Sequence, residues 1–213
     1  MWHFLQVSAG AAAYVADRFK VPNHVTDYHD LLAGDVDAFT LAALRGNQEL
    51  LLDLVERPEW VQARLRQITD RYFYYYDVLY DLIRDERGGS CYWAWAPGRL
   101  AKFQCDFSAM ISPEMFARYV MPDLEACCDY LDHGFYHLDG KGQIPHVDLL
   151  LSIERLRGNQ WIPGDRQQPP DQWLPLVKRI RDGGKLCQVF VSAEGARTIV
   201  KNLGGRGFLL VIS

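Results

Sequence analysis

Residues 134–142 read "GFYHLDGKG": an aromatic run, then His137 and Asp139 two positions apart, then glycines on either side of Lys141. On a strand, side chains at i and i+2 project to the same face. Read as a strand, the segment sets an imidazole and a carboxyl side by side where the chain leaves a sheet. Glycine is a poor strand former and a ready turn former, so the strand stops there. Three later apolar runs have the same character: "NQWIP" from Asn159, "KLCQVFV" from Lys185 and "RGFLLVIS" from Arg206. Between them, "IPHVDLLLSIERL", "WLPLVKRIRDGG" and "SAEGARTIVKNLGG" carry a helical period. One unit takes roughly 25 residues, which is the span of a strand and its crossover helix. The pattern is that of a parallel α/β protein, with Gly183–Gly184 and Gly204–Gly205 as helix stops.

Upstream of this unit, "SPEMFARYVMPDLEACCDYLD" starts as a helix, with Ser112 as N-cap, Pro113 in the first turn and Glu114 at the positive end. Pro122 is expected to kink it. "CYWAWAPGRLAKFQCDF" offers one or two strands broken at Pro97-Gly98. Pro58 opens a long helix whose apolar positions Val61, Leu65, Ile68, Tyr72, Tyr76, Leu79 and Ile83 keep the helical spacing. The run "YFYYY" within it is expected to pack rather than to form a stacking platform. His24, Asp27, His29 and Asp30 crowd one stretch without tetrahedral ligand spacing and read as a polar loop.

The 213 residues are 49% hydrophobic and 23% charged with a formal net charge of -4, enough to bury a substantial core. No basic stripe is available for phosphates, which argues against a nucleic-acid partner. No apolar run reaches ~18 residues, so no membrane span is expected. Cys91, Cys105, Cys127, Cys128 and Cys187 form no CxxC pair and no even framework. That suits a reducing compartment, and a cytoplasmic protein is expected.

Beyond His137 and Asp139, the candidate site residues lie where predicted strands end. Asp106 and Ser108 follow "RLAKFQ" and precede the helix at Ser112. Lys141 sits beside the helix after the His–Asp strand, placed to meet a substrate carboxylate. Trp161 and Asp165 flank the turn into the loop "PGDRQQPP", of the kind that shapes access to a pocket.

In order, "FTLAALRGNQELLLDLVERPEWV", "CDFSAMISPEMFARYVMPDL", "YHLDGKG" and "NQWIPG" resemble the uroporphyrinogen decarboxylase superfamily, which includes the cobalamin-dependent (corrinoid) methyltransferases. The "SPEMF…MP" helix start is the most specific match. The resemblance implies a (β/α)₈ TIM-type barrel with its site at the C-terminal ends of the strands. It spans residues 37–213 as the barrel portion, after an N-terminal segment, 1–36, to which the sequence assigns no structure. Only five or six strands can be counted, and the family's first strands have no counterpart, so an incomplete barrel is expected.

The lead function implied is decarboxylation of a carboxylated tetrapyrrole or a similar small-molecule substrate, without an organic cofactor. On that reading His137, Asp139 and Asp106 are catalytic, and Ser108, Lys141, Trp161 and Asp165 contact substrate. The alternative is methyl transfer with a corrinoid protein as partner and zinc on His137 and Asp139. There the family's His-x-Cys-Gly motif has become "HLDG", with Asp139 in the cysteine's place. A third reading is a non-catalytic fragment or binding subunit that needs another chain. A homodimer is expected among its assemblies.

Overall fold

The computed structural model describes residues 33–35, 37–91 and 95–212. Strand β1 (Ala33–Asp35) leads into helices α1 (Asp37–Arg45), α2 (Asn47–Glu56) and the long α3 (Pro58–Ile83). A short antiparallel pair, β2 (Ser90–Cys91) and β3 (Trp95–Ala96), precedes β4 (Leu100–Gln104). Then come α4 (Pro113–Tyr119), α5 (Met121–Tyr130), β5 (His133–Asp139), α6 (Val147–Ser152), β6 (Leu156–Ile162), α7 (Leu174–Asp182), β7 (Leu186–Val191), α8 (Ala193–Leu203) and β8 (Phe208–Ile212). The cluster His24, Asp27, His29 and Asp30 lies outside the described residues.

Among the described residues, six strands form one sheet in the order β1-β4-β5-β6-β7-β8, and every neighbouring pair is parallel. Strand order therefore never reverses, as it does in a doubly wound sheet. Crossovers of one hand between successive parallel strands lay their helices on one face. The core lies at that face. Phe103 on β4 meets Tyr72 of α3 at 6.2 Å between ring centres, and Tyr136 on β5 meets Phe116 of α4 at 6.4 Å. Both Phe103 and Tyr136 are fully buried. Among the described residues, no helix is long and apolar enough to cross a membrane.

Local chemistry sets the boundaries. Pro58 stands in the first turn of α3, where its missing N–H costs nothing. Val61, Leu65, Tyr76 and Tyr80 form its buried stripe. The tyrosine run is divided by helical spacing: Tyr76 donates its hydroxyl to the Leu100 carbonyl at 3.0 Å, while Tyr74 and Tyr75 face outward. The Ser112 hydroxyl accepts the Met115 N–H at 3.3 Å and caps α4. Pro122 does not kink one helix. The chain breaks at Val120 and Pro122 sits in the first turn of a second helix, α5.

Gly158 marks the tightest passage between strands. A Cβ there would strike the Phe135 ring on β5 and lie 2.8 Å from the Leu186 carbonyl on β7. The ring could turn aside; the backbone carbonyl is held by the sheet. Gly158→Ala is therefore expected to destabilise the protein by about 1–3 kcal/mol, the usual cost of overpacking. A urea titration that leaves the midpoint unchanged would contradict this reading of the sheet.

Candidate functional site

Strand β5 alternates as its sequence requires. Gly134, Tyr136 and Leu138 are buried toward the helices, while Phe135, His137 and Asp139 belong to the opposite face. Register then builds a row across that face. His137 is paired with Gln104 on β4 and Gln160 on β6, and Gln160 is paired with Gln188 on β7. Four adjacent strands thus bring a polar side chain to one level. His137 Nδ1 meets Gln160 Oε1, and Gln160 Nε2 donates to Gln188 Oε1 at 3.2 Å. Lys102, one pleat earlier on β4, donates from Nζ to Gln104 Oε1 at 3.2 Å. Lys102, Gln160 and Gln188 are all buried. Buried amides are costly unless their hydrogen bonds are made, and this row makes most of its own.

Carboxyl groups stand at the C-terminal end of this row. Asp139 Oδ2 lies 4.0 Å from His137 Nε2. Asp106 opens the short 3₁₀ turn Asp106–Met110 that directly follows β4. The groups perturb one another. Burial, helped by the positive charge of Lys102, lowers the His137 pKa to about 4, so its ring is neutral at pH 7. Burial and then the neighbouring Asp139 raise the pKa of Asp106. Burial raises Asp139 as well, against the pull of Lys102 and with a smaller push from Asp165. A neutral imidazole near one cation and two carboxyls of raised pKa is a cluster of titratable groups shifted by burial and by one another, the kind of setting in which general acid–base groups are found.

Two loops are locked together to fix this geometry. A second 3₁₀ segment, Lys141–His146, packs on the first. At Gly142 a Cβ would come within 2.8 Å of the Ala109 methyl, so only glycine permits the approach. Gln143 Nε2 donates to the Cys105 carbonyl at 3.3 Å, and His146 Nε2 donates to the Ser108 carbonyl at 2.9 Å. The His146 ring also stacks on Phe116, centres 4.4 Å apart and planes 10° apart. These contacts hold the start of the Asp106 loop against the loop that follows Asp139.

Of the residues chosen from sequence, His137, Asp139 and Asp106 come together, with Asp165 exposed but near enough to act on Asp139. Lys141 is exposed, its Nζ 5.7 Å from the centre of the Trp173 ring. Ser108 and Trp161 do not join them. Ser108 is fully buried beside Tyr136, and its carbonyl is taken by His146. Trp161 is paired in register with Leu138, on the face opposite His137, and its buried indole meets Trp173 at 5.2 Å. Lys102, Gln104, Gln160, Gln188 and His146 carry the site's polar frame, and sequence reasoning passed over all five. The available signal was polar residues at alternate positions of apolar strands, as in "KFQ" at 102–104.

Zinc binding at His137 and Asp139 would need further donors, since zinc takes three or four protein ligands. Among the described residues, no group of three or more His, Cys, Asp and Glu side chains is arranged to hold a metal ion. No family model matches the chain, and no curated protein matches it.

Proposed function

We propose that the chain is a decarboxylase-like enzyme of the uroporphyrinogen decarboxylase superfamily, acting on a carboxylated tetrapyrrole or a similar carboxylated substrate. Its parallel sheet is then a sector of a (β/α)₈ barrel, and the ends of β4 and β5 face the substrate. One observation carries the reading: His137, Asp139 and Asp106 cluster at the C-terminal ends of adjacent parallel strands, on the face away from the helices. Barrel enzymes keep their chemistry at that end of the strands.

The reaction balances without an organic cofactor. A proton adds to a pyrrole carbon, the bond from the side-chain carbon to its carboxylate breaks, and carbon dioxide leaves. The electron pair passes to the ring, a proton is then delivered to the side-chain carbon to make a methyl group, and the ring carbon gives up its added proton to restore the pyrrole. The chain's part is to supply and take back protons and to stabilise charge as it develops. Asp106 and Asp139 are the candidate groups for moving the proton, and neutral His137 is the candidate hydrogen-bond acceptor.

Incubation with reduced uroporphyrinogen under anaerobic conditions tests this, with products oxidised to porphyrins and resolved by chromatography. Stepwise loss of carboxyl groups is expected. Asp139→Asn and His137→Gln should slow it by about 10²–10⁴-fold, the usual worth of a positioned acid or base. Wild-type protein that binds the porphyrinogen but never releases carbon dioxide would overturn the decarboxylase reading.

A further inference from the structure

The amide row beneath the site does more than fill space. Gln160 and Gln188 are 0% and 3% exposed, so bulk water does not compete for their hydrogen bonds. We propose that Gln160, held in turn by Gln188, is a positioning residue that fixes His137 in the tautomer protonated at Nδ1 and so presents Nε2 to the strand-end site as an acceptor.

A glutamine Oε1 has no proton to give, so the contact between His137 Nδ1 and Gln160 Oε1 requires the proton on Nδ1. The proton on one imidazole nitrogen is set by the bond the other makes. What keeps the Gln160 carbonyl turned toward the ring is its other end, where Nε2 donates to Gln188 Oε1 at 3.2 Å. Rotating the Gln160 amide alone would set Nε2–H against a protonated Nδ1 and Oε1 against Oε1 of Gln188. Both contacts would be lost. Reversal needs both amides and the ring tautomer to change together, so the row behaves as one unit with two polarities. The register Gln160↔Gln188 and His137↔Gln160 builds it into the sheet rather than into a loop. The polarity seen here ends in Gln188 Nε2, a buried donor without a hydrogen-bond partner among the described residues. The consequence is chemical: an Nε2 acceptor beside Asp139 takes a hydroxyl, an N–H or a protonated carboxyl from a ligand.

This inference rests on the row alone and holds for any ligand of His137, so its test uses no substrate. The full chain is labelled with ¹⁵N, and long-range proton–nitrogen correlations of the imidazoles are recorded at about pH 8, above the ordinary histidine range. His137→Gln identifies the His137 signals by their disappearance. Wild-type His137 is expected to show a proton-bearing Nδ1 and a bare Nε2. Gln160→Leu should shift it toward the Nε2-protonated form, with Gln188→Leu moving it the same way by less. Gln160→Glu keeps an acceptor and should preserve the wild-type pattern. An Nε2-protonated ring in the wild type overturns the proposal, and so does a Gln160→Leu spectrum unchanged from it. If Gln160→Leu does not fold, the wild-type and Gln160→Glu spectra still decide, because both must show the proton on Nδ1.

Discussion

Replacing Trp161 by alanine is expected to lower the unfolding free energy by about 3–5 kcal/mol, the range for removing a large aromatic side chain from a packed core. The indole is wholly buried on the helix side of β6, edge-on to Trp173 at 5.2 Å. Its Nε1 has no hydrogen-bond partner among the described residues, so the loss is one of packing and of aromatic contact. Trp173 is only partly buried and could move into the space, which argues for the lower half of the range. Urea unfolding of wild type and variant, compared at equal slope, gives the number. A cost below about 1 kcal/mol would mean that the indole is not part of the core. The same measurement separates two roles for the residue. A ligand-contacting tryptophan would lose affinity and keep its stability, and the opposite is expected here.

Trp161 also shows what a sequence can and cannot tell. The strands β5 to β8 were readable because each is an apolar run ending at glycine, proline or a polar turn. Their parallel arrangement followed from the helical segments between them. Strand β1, three residues reading "AGD", has no apolar signature and is defined only by its pairing with β4. His137 and Asp139 were readable because a period of two within one strand needs no partner. The faces of β6 were not. Pairing between β5 and β6 shifts register beside Gly134 and Phe135. Adjacent residues point to opposite faces, and a slip of one residue exchanges them. Gln160 and Trp161 are such neighbours: the conspicuous indole went to the core and the plain amide to the site. The row Gln104–His137–Gln160–Gln188 draws one residue from each of four strands, and only register aligns them. His146 was hidden for another reason. Its value lies in a stacking partner and a carbonyl supplied by segments some thirty or more positions away.

Those two histidines are expected to make folding stability fall as the solution is acidified. Burial lowers the pKa of both, His137 to about 4 and His146 by a smaller margin, so each is neutral in the folded protein at pH 7. In the unfolded chain they titrate near the ordinary value of about 6.5. Below that pH the unfolded chain takes up protons that the folded protein refuses, and stability is lost progressively until the folded pKa is reached. For His137 the full loss is about 3.5 kcal/mol, since its pKa falls from about 6.5 to about 4 and a tenfold change in proton affinity is worth about 1.4 kcal/mol. Asp106 and Asp139 act in the opposite sense. Their pKa values are raised in the folded state, so acidification through the range just above the usual carboxylate value favours folding. The decline is expected to begin near pH 6.5 and to continue toward pH 4, opposed by the carboxyls where they titrate. Urea midpoints at about pH 7.5, 6 and 5 measure it. His137→Gln should remove most of the decline, because an amide in that place has no proton to gain, and His146 contributes to what is left. A midpoint that does not move between pH 7.5 and 5 would mean that neither ring pays for its burial, and the neutral imidazole at the centre of the site would go with it.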